Sequence, residues 1–250
     1  SGVAMIEKFE GFRNMPYSDD KGNWYIGYGS QCNPADYPFG ITEAQADVLL
    51  RQDLASKEEA VNRLLVDYNI SVTQYQFDAM VSMTYTLGTQ WMNPTYRFCG
   101  YLIRGIQNYS EVEVVNAIAT WCHSGDDPLD HLVERRLQEA YLFLYGTYEN
   151  DAAQRYRYIH FDPNGGDVEN KTVFYPIGTA YGQLPTPTGN GGRTFLGWYT
   201  SDGTKLTGQE LAMENVWVTA KWDGESSGSS GSDIDLSGWV NPYSDVKETD

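Results

Sequence analysis

Three pairs constrain this chain most: Thr42 with Gln45, Thr73 with Gln76, and Ser110 with Glu113. Each sets a hydroxyl three positions ahead of a side chain that can reach back to it, and so satisfies the unpaired amides that open a helix. An apolar stripe at helical spacing follows each pair. Ala46, Leu49, Leu50 and Leu54 follow the first, continuing through Val61, Leu64 and Leu65. Ala79, Met80, Met83 and Leu87 follow the second, and Val114, Ala117 and Ile118 the third. Val3, Ile6 and Phe9 predict an earlier helix that Gly11 ends, and Leu129, Leu132, Val133, Leu137, Ala140 and Leu144 a last one stopped by Gly146. Residues 16–40, rich in Gly, Asp, Asn, Tyr and Pro, read instead as a small hairpin region.

The pattern changes near residue 155. Short β-rich runs appear at Tyr156 to Phe161, Lys171 to Tyr175, Thr194 to Tyr199 and Val216 to Trp222, separated by Gly and Pro clusters. Asn164-Gly165-Gly166 is a hairpin signal. The expected class is therefore α+β: a mainly helical unit over 1–153 with a small N-terminal β-hairpin region, then a small β unit over 154–223. Residues 224–233 are Gly, Ser and acidic, the composition of a flexible linker that is read as 224–235, and 236–250 open a further segment.

The formal charge of −17 is spread along the chain. Such a surface excludes nucleic acid as an expected partner, because phosphates need a positive footprint. No apolar run is long enough for a membrane span, and no signal-peptide pattern is visible in the sequence. Cys32, Cys99 and Cys122 fit no zinc or redox spacing, so no metal or cofactor is expected. Cys99 with Cys122 is one available disulfide, and buried free thiols are the alternative.

Glycoside hydrolysis needs two carboxyls across the scissile bond, one protonated and one ionised. Glu10, between Phe9 and Gly11-Phe12, has an apolar setting, and Asp19 stands in the polar turn Tyr17-Ser18-Asp19-Asp20-Lys21-Gly22. With 34 acidic residues present, chemistry alone does not select this pair. A resemblance does. Ile6-Glu7-Lys8-Phe9-Glu10-Gly11-Phe12, then Tyr17-Ser18-Asp19, Gly22 and Ile26-Gly27-Tyr28-Gly29, resemble the N-terminal signature of phage-type lysozymes. Similarity to that family continues through Ile41-Thr42-Glu43-Ala44-Gln45-Ala46, Gln76-Phe77-Asp78-Ala79-Met80-Val81-Ser82, and Leu132-Val133-Glu134-Arg135-Arg136 with Glu139.

The resemblance implies a peptidoglycan-cleaving glycosidase, a lysozyme or muramidase of the endolysin type. Its substrate would be the β-1,4 linkage between N-acetylmuramic acid and N-acetylglucosamine. Glu10 corresponds to the general acid, Asp19 to the second carboxylate and Arg135 to an arginine that pairs with the acid. Trp121 either borders the cleft or packs in the core. The chain departs from the family at Tyr25, where a Thr hydroxyl helps hold the attacking water. It departs also at Ser30, where His is common, and at Thr86, where a polar amide is common. Three outcomes stay open: hydrolysis with a repositioned water, lytic-transglycosylase cleavage to an anhydro sugar, or glycan binding without cleavage.

Ile159-His160-Phe161-Asp162-Pro163-Asn164-Gly165-Gly166, Leu184-Pro185-Thr186-Pro187, Phe195-Leu196-Gly197-Trp198-Tyr199 and Thr219-Ala220-Lys221-Trp222 resemble a Listeria–Bacteroides repeat. That implies a β-grasp-like fold with a spacing or contact role, in which Trp198 and Trp222 serve core packing ahead of sugar stacking. Trp239-Val240-Asn241-Pro242-Tyr243-Ser244-Asp245 through Asp250 resemble the opening of an S-layer homology module. The resemblances imply a secreted, monomeric protein associated with the bacterial cell wall. Its partners would be peptidoglycan strands and, through the downstream module, a wall polymer.

Overall fold

In the computed structural model, which describes residues 1–224, the expected helix starts appear as hydrogen-bonded caps. The first helix, α1 (Gly2–Glu10), ends where the Gly11 amide donates to Glu7 O at 3.0 Å. The chain then forms an antiparallel meander of β1 (Arg13–Ser18), β2 (Trp24–Gly27) and β3 (Ser30–Gln31). Helices α2 (Glu43–Asp67) and α3 (Gln74–Leu87) follow, each opened by a complete capping box. After α4 (Arg97–Arg104), the third capping box opens α5 (Glu111–Ala119). A hairpin of β4 (His123–Ser124) and β5 (Asp127–Pro128) leads into α6 (Asp130–Tyr145), which Gly146 ends in a left-handed conformation. One turn, α7 (Ala152–Arg155), leads into β6 (Tyr156–Asp162), β7 (Thr172–Pro176), β8 (Phe195–Tyr199) and β9 (Val216–Trp222).

The last four strands form one sheet in the order β7-β6-β9-β8. Its outer pairs are antiparallel and its central pair, β6 with β9, is parallel. The Asn164-Gly165 signal lies in the connection from β6 to β7, with both residues at positive φ, but that connection runs over 163–171. It is no tight two-residue turn. Residues 225–250, with nearly all of the expected linker and the S-layer-like segment, lie outside the described residues.

Two apolar cores result, and β6 serves both. Tyr156 and Tyr158, with Phe174 of β7, join the helical core around Ile6, Leu50, Met80, Trp91, Phe98 and Leu137. Ile159 and Phe161 join a second core with Trp198, Val218, Ala220 and Trp222. The alternation of a strand explains this, since successive side chains point to opposite faces. Trp198 and Trp222 are core residues whose indole N–H groups donate to Pro185 O at 2.7 Å and Pro163 O at 3.1 Å. The three thiols are free, and Cys99 Sγ donates to Met92 O at 3.0 Å. Among the described residues no helix is long and apolar enough to cross a membrane.

Polar contacts fasten the sheet to the helices. Asn116 of α5 grips β7 twice, donating to Phe174 O and accepting from Phe174 N, each at 2.8 Å. His123 and His160 meet at Thr172 Oγ1, at 2.8 and 3.0 Å. Burial is the main cause holding both imidazoles below their ordinary pKa. The Thr120 carbonyl, Asp126 and Asp127 oppose that shift at His123, and Asp127 and Asp162 oppose it at His160, while Lys171 reinforces it at both and His123 at His160. The unfolded chain therefore binds protons more readily at these residues than the folded one. Their contribution to stability is complete above the unfolded pKa of about 6.5 and declines as the pH falls below it. The variant His123→Gln/His160→Gln should show a smaller drop in melting temperature between neutral pH and mildly acid pH than the parent. Calorimetry across that range checks it; equal drops would refute the assignment.

Candidate active site

Glu10 owes its position to the packing of α1. Met5 and Ile6 are buried, and Asp78 of α3 accepts from the Gly2 amide at 3.0 Å and the Tyr148 hydroxyl at 2.6 Å. Gly11 stops the helix at φ +69 directly after Glu10. Arg135 Nη1 donates to Glu10 Oε1 at 2.6 Å. That guanidinium is 6% exposed, against 22% for the Glu10 side chain, and lies 4.9 Å from the centre of the Phe9 ring. An apolar ring thus backs the arginine while its charged edge holds the acid.

Behind Arg135 lies a buried network. Arg135 Nε reaches Glu139 Oε1 at 3.1 Å, and Arg136 Nη2 donates to the same oxygen at 2.8 Å. Ser82 Oγ donates to it at 2.6 Å. Arg136 Nε lies 2.8 Å from Glu139 Oε2, a charge pairing off the line of a hydrogen bond. Arg136 and Glu139 are fully buried. Burial disfavours the charge on Arg136, and Glu139 supports it. With Glu10, two guanidiniums face two carboxyl groups.

Asp19 sits in the β1–β2 turn and is filled with donors. Its Oδ1 accepts from the amides of Lys21 at 2.9 Å and Asn23 at 2.8 Å. Its Oδ2 accepts from Asn23 Nδ2 at 2.9 Å and the Tyr25 hydroxyl at 3.2 Å. These bonds, the Asn23 side chain first, hold the carboxyl below its ordinary pKa and keep it ionised. Tyr25 is shifted the other way, by desolvation first and then by the Asp19 charge, so it stays a donor.

Glu10, Asp19, Tyr25, Gly29, Tyr85 and Thr86 line one cavity of about 690 Å³, whose far wall is α2. Gly29, at φ +93, stands where a Cβ would lie 3.7 Å from Glu10 Oε2 and 3.6 Å from the Tyr85 hydroxyl. Glycine supplies the backbone angle and keeps that approach open. Tyr85 donates to Tyr28 O at 2.8 Å, and its pKa is raised, by burial first and then by the Glu10 charge.

Five of the seven residues singled out from sequence thus gather here, since Thr86 Oγ1 also accepts from Arg136 at 3.0 Å. Two do not. Ser30 is buried, lies outside the cavity lining, and its Oγ has no hydrogen-bond partner among the described residues. Trp121 lines a separate cavity of about 350 Å³ and packs edge-on against Tyr96, with ring centres 4.9 Å apart. Conversely, Glu139, Ser82, Asn23 and Tyr85 belong to the site although they were not among its expected residues. Glu139 carried a signal: it lies one helical turn beyond two adjacent arginines. Among the described residues no group of three or more His, Cys, Asp and Glu is placed to hold a metal ion.

The phage lysozyme family model matches residues 7–139. The chain belongs to the phage lysozyme family. Within it, the chain is 35% identical to the endolysin of Bacillus phage B103 over 155 residues, 60% of this chain and 55% of that protein. It is 33% identical to the endolysin of Bacillus phage PZA over 152 residues, 60% of this chain and 56% of that one. The chain thus spans just over half the length of these curated relatives. Among solved structures, the endolysin from Escherichia coli O157:H7 phage FAHEc1 aligns with TM-score 0.50 and 29% identity, covering 60% of this chain and 94% of that one. This phage lysozyme domain, a mixture of helices and a small sheet, thus accounts for the first three-fifths of the chain.

Glu139→Gln removes one charge from a closed, buried cluster and leaves two guanidiniums opposite Glu10. The variant should lose about 3–5 kcal/mol of unfolding free energy, the range for breaking a buried ion pair from one side. Urea unfolding measures it, and a loss within experimental error would show that the cluster is not held by charge.

Proposed function

We propose that this phage lysozyme relative is a muramidase that cleaves bacterial peptidoglycan between N-acetylmuramic acid and N-acetylglucosamine. The observation that carries the reading is the Arg135–Glu10 contact of 2.6 Å at the edge of the cavity that Asp19 also lines. In this reading Glu10 gives its proton to the leaving glycosidic oxygen as the bond to the anomeric carbon breaks. Asp19, kept ionised by its donors, stabilises the positive charge that develops on the sugar.

The donors around Asp19 favour a second reading of the step that follows. A carboxylate offers about four acceptor positions, and four donors already reach this one. To hold an attacking water, Asp19 has to release a donor, and the Tyr25 hydroxyl, at 3.2 Å the longest of the four contacts, is the one released most readily. Without that release, a hydroxyl of the sugar itself forms the new bond to the anomeric carbon and gives its proton to a carboxylate. The product is then an anhydro sugar, as in lytic transglycosylases. A non-catalytic, glycan-binding protein is the reading left if neither product forms.

Residues 1–153 form the lytic domain and residues 154–223 a β-grasp-like Listeria–Bacteroides repeat. Beyond a linker at 224–235, residues 236–250 begin an S-layer homology module that ties a secreted, monomeric protein to a wall polymer. The tether supplies the local concentration that an acidic surface does not.

Mass spectrometry of products from purified peptidoglycan tests the activity. Reducing-end fragments are expected from a hydrolase and anhydro ends from the second route. Glu10→Gln should abolish both with the fold intact, and normal lysis by that variant would overturn the assignment of the acid. Tyr25→Thr frees one acceptor position on Asp19 and should raise the share of reducing ends; an unchanged product ratio would mean that Tyr25 does not control water.

A further inference from the structure

The side of the four-stranded sheet that faces the helical part carries a cavity separate from the lysozyme cavity. Trp217 of β9 points away from the second core and is 48% exposed. Its neighbour across the parallel pair is His160 of β6, with ring centres 4.4 Å apart. The two line a cavity of about 500 Å³ with Asp126, Asp127, Asp162, Lys171, Ser201 and Thr219. The β4–β5 hairpin of the helical part forms one wall and the sheet the floor, so both parts of the chain build it.

The hydrogen bonds around His160 define what that cavity offers. His123 Nδ1 lies 3.0 Å from Thr120 O, which can only accept, so this nitrogen carries the proton. Neutral His123 then has a lone pair on Nε2, and the Thr172 hydroxyl donates to it at 2.8 Å. Thr172 Oγ1 can therefore only accept from His160 Nδ1, at 3.0 Å. The proton of His160 is thereby placed on Nδ1, and its Nε2 is left as an acceptor. His160 is 4% exposed. Its Nε2 makes no hydrogen bond among the described residues, and Asp127 Oδ1 lies 3.9 Å away.

The site therefore presents a flat ring, four acceptors (His160 Nε2 and the carboxylates of Asp126, Asp127 and Asp162), and few donors. The Lys171 ammonium is paired with Asp126, with hydrogens to spare for a carbonyl, and Ser201 and Thr219 add hydroxyls. The carboxylates repel phosphate and carboxylate polymers. A ligand with an apolar face for the ring, several hydroxyl or amide donors, and no negative charge is complementary. We propose that this cavity binds a short stretch of N-acetylated amino-sugar glycan, stacked on Trp217, as a second carbohydrate site apart from the Glu10 cavity. A pyranose ring has the required C–H face, its hydroxyls and amide N–H meet the acceptors, and its acetyl carbonyl meets Lys171.

The test uses the full chain carrying Glu10→Gln, which keeps glycan intact, and a soluble β-1,4-linked N-acetylglucosamine oligomer as probe. Calorimetric titration should report a site that Trp217→Ala weakens by about tenfold or more and Trp217→Phe largely retains. Hydrogen exchange should show probe-dependent protection of amides in β6 and β9 that the alanine variant loses. Protection confined to the Glu10 cavity, or an isotherm unchanged by Trp217→Ala, would overturn the proposal. So would Trp217-dependent binding of polyglycerol phosphate or a lysine peptide in place of the sugar. None of these readouts needs cleavage, so the result stands apart from the proposed lytic activity. If that activity is present, Trp217→Ala with Glu10 intact should leave turnover of soluble fragments unchanged.

Discussion

Arg135 is the residue on which the site depends, because it is the one group that touches both the candidate acid and the interior. A guanidinium so thoroughly desolvated is costly unless nearly every N–H finds an acceptor. Here Glu10, Glu139 and Ser82 provide them. The contacts tie α6 to α3 and to the end of α1, which are distant in sequence. A shift of any of these helices breaks a buried charge pair, so Glu10 is held as firmly as the core itself.

The two carboxyls of the site are fixed by opposite means. Glu10 is held by the interior, at the end of a packed helix. Asp19 is held locally, by two amides and one side chain from the next four residues, on an exposed turn. The first depends on contacts across the whole chain, the second on the conformation of one loop. Substitutions in the helical core therefore disturb the acid and leave its partner in place, while changes at Asn23 or Gly22 act in the reverse sense.

How far the sequence announced this arrangement follows from the range of the forces involved. Capping boxes are local, and all three formed where Thr42, Thr73 and Ser110 indicated. The runs ahead of Tyr199 and Trp222 became strands because alternation is local too. The β4–β5 hairpin was not legible: its strands have two residues each, too short for periodicity to register. Nor was the double duty of β6. Its near-continuous burial looks the same in sequence whether one core or two receive it. At the site, resemblance located Glu10, Asp19 and Arg135. The saturation of Asp19 by Asn23 and Tyr25 is a matter of turn geometry that residue types do not disclose. Trp217 was indistinguishable from Trp198 and Trp222 by composition, and only strand parity places it on the face away from their core.

The parallel pairing of β6 with β9 also sets how the chain bears load. The helical part enters the sheet at Tyr156, the start of β6, and the chain leaves it after Trp222, the end of β9. Tension applied between these points slides two parallel neighbours along each other. The cross-strand bonds then resist together in shear, where an antiparallel exit would let them peel apart one at a time. A pull on the end of β9 is therefore carried to β6, and through Tyr156 to the helices, by cross-strand bonds that are loaded together.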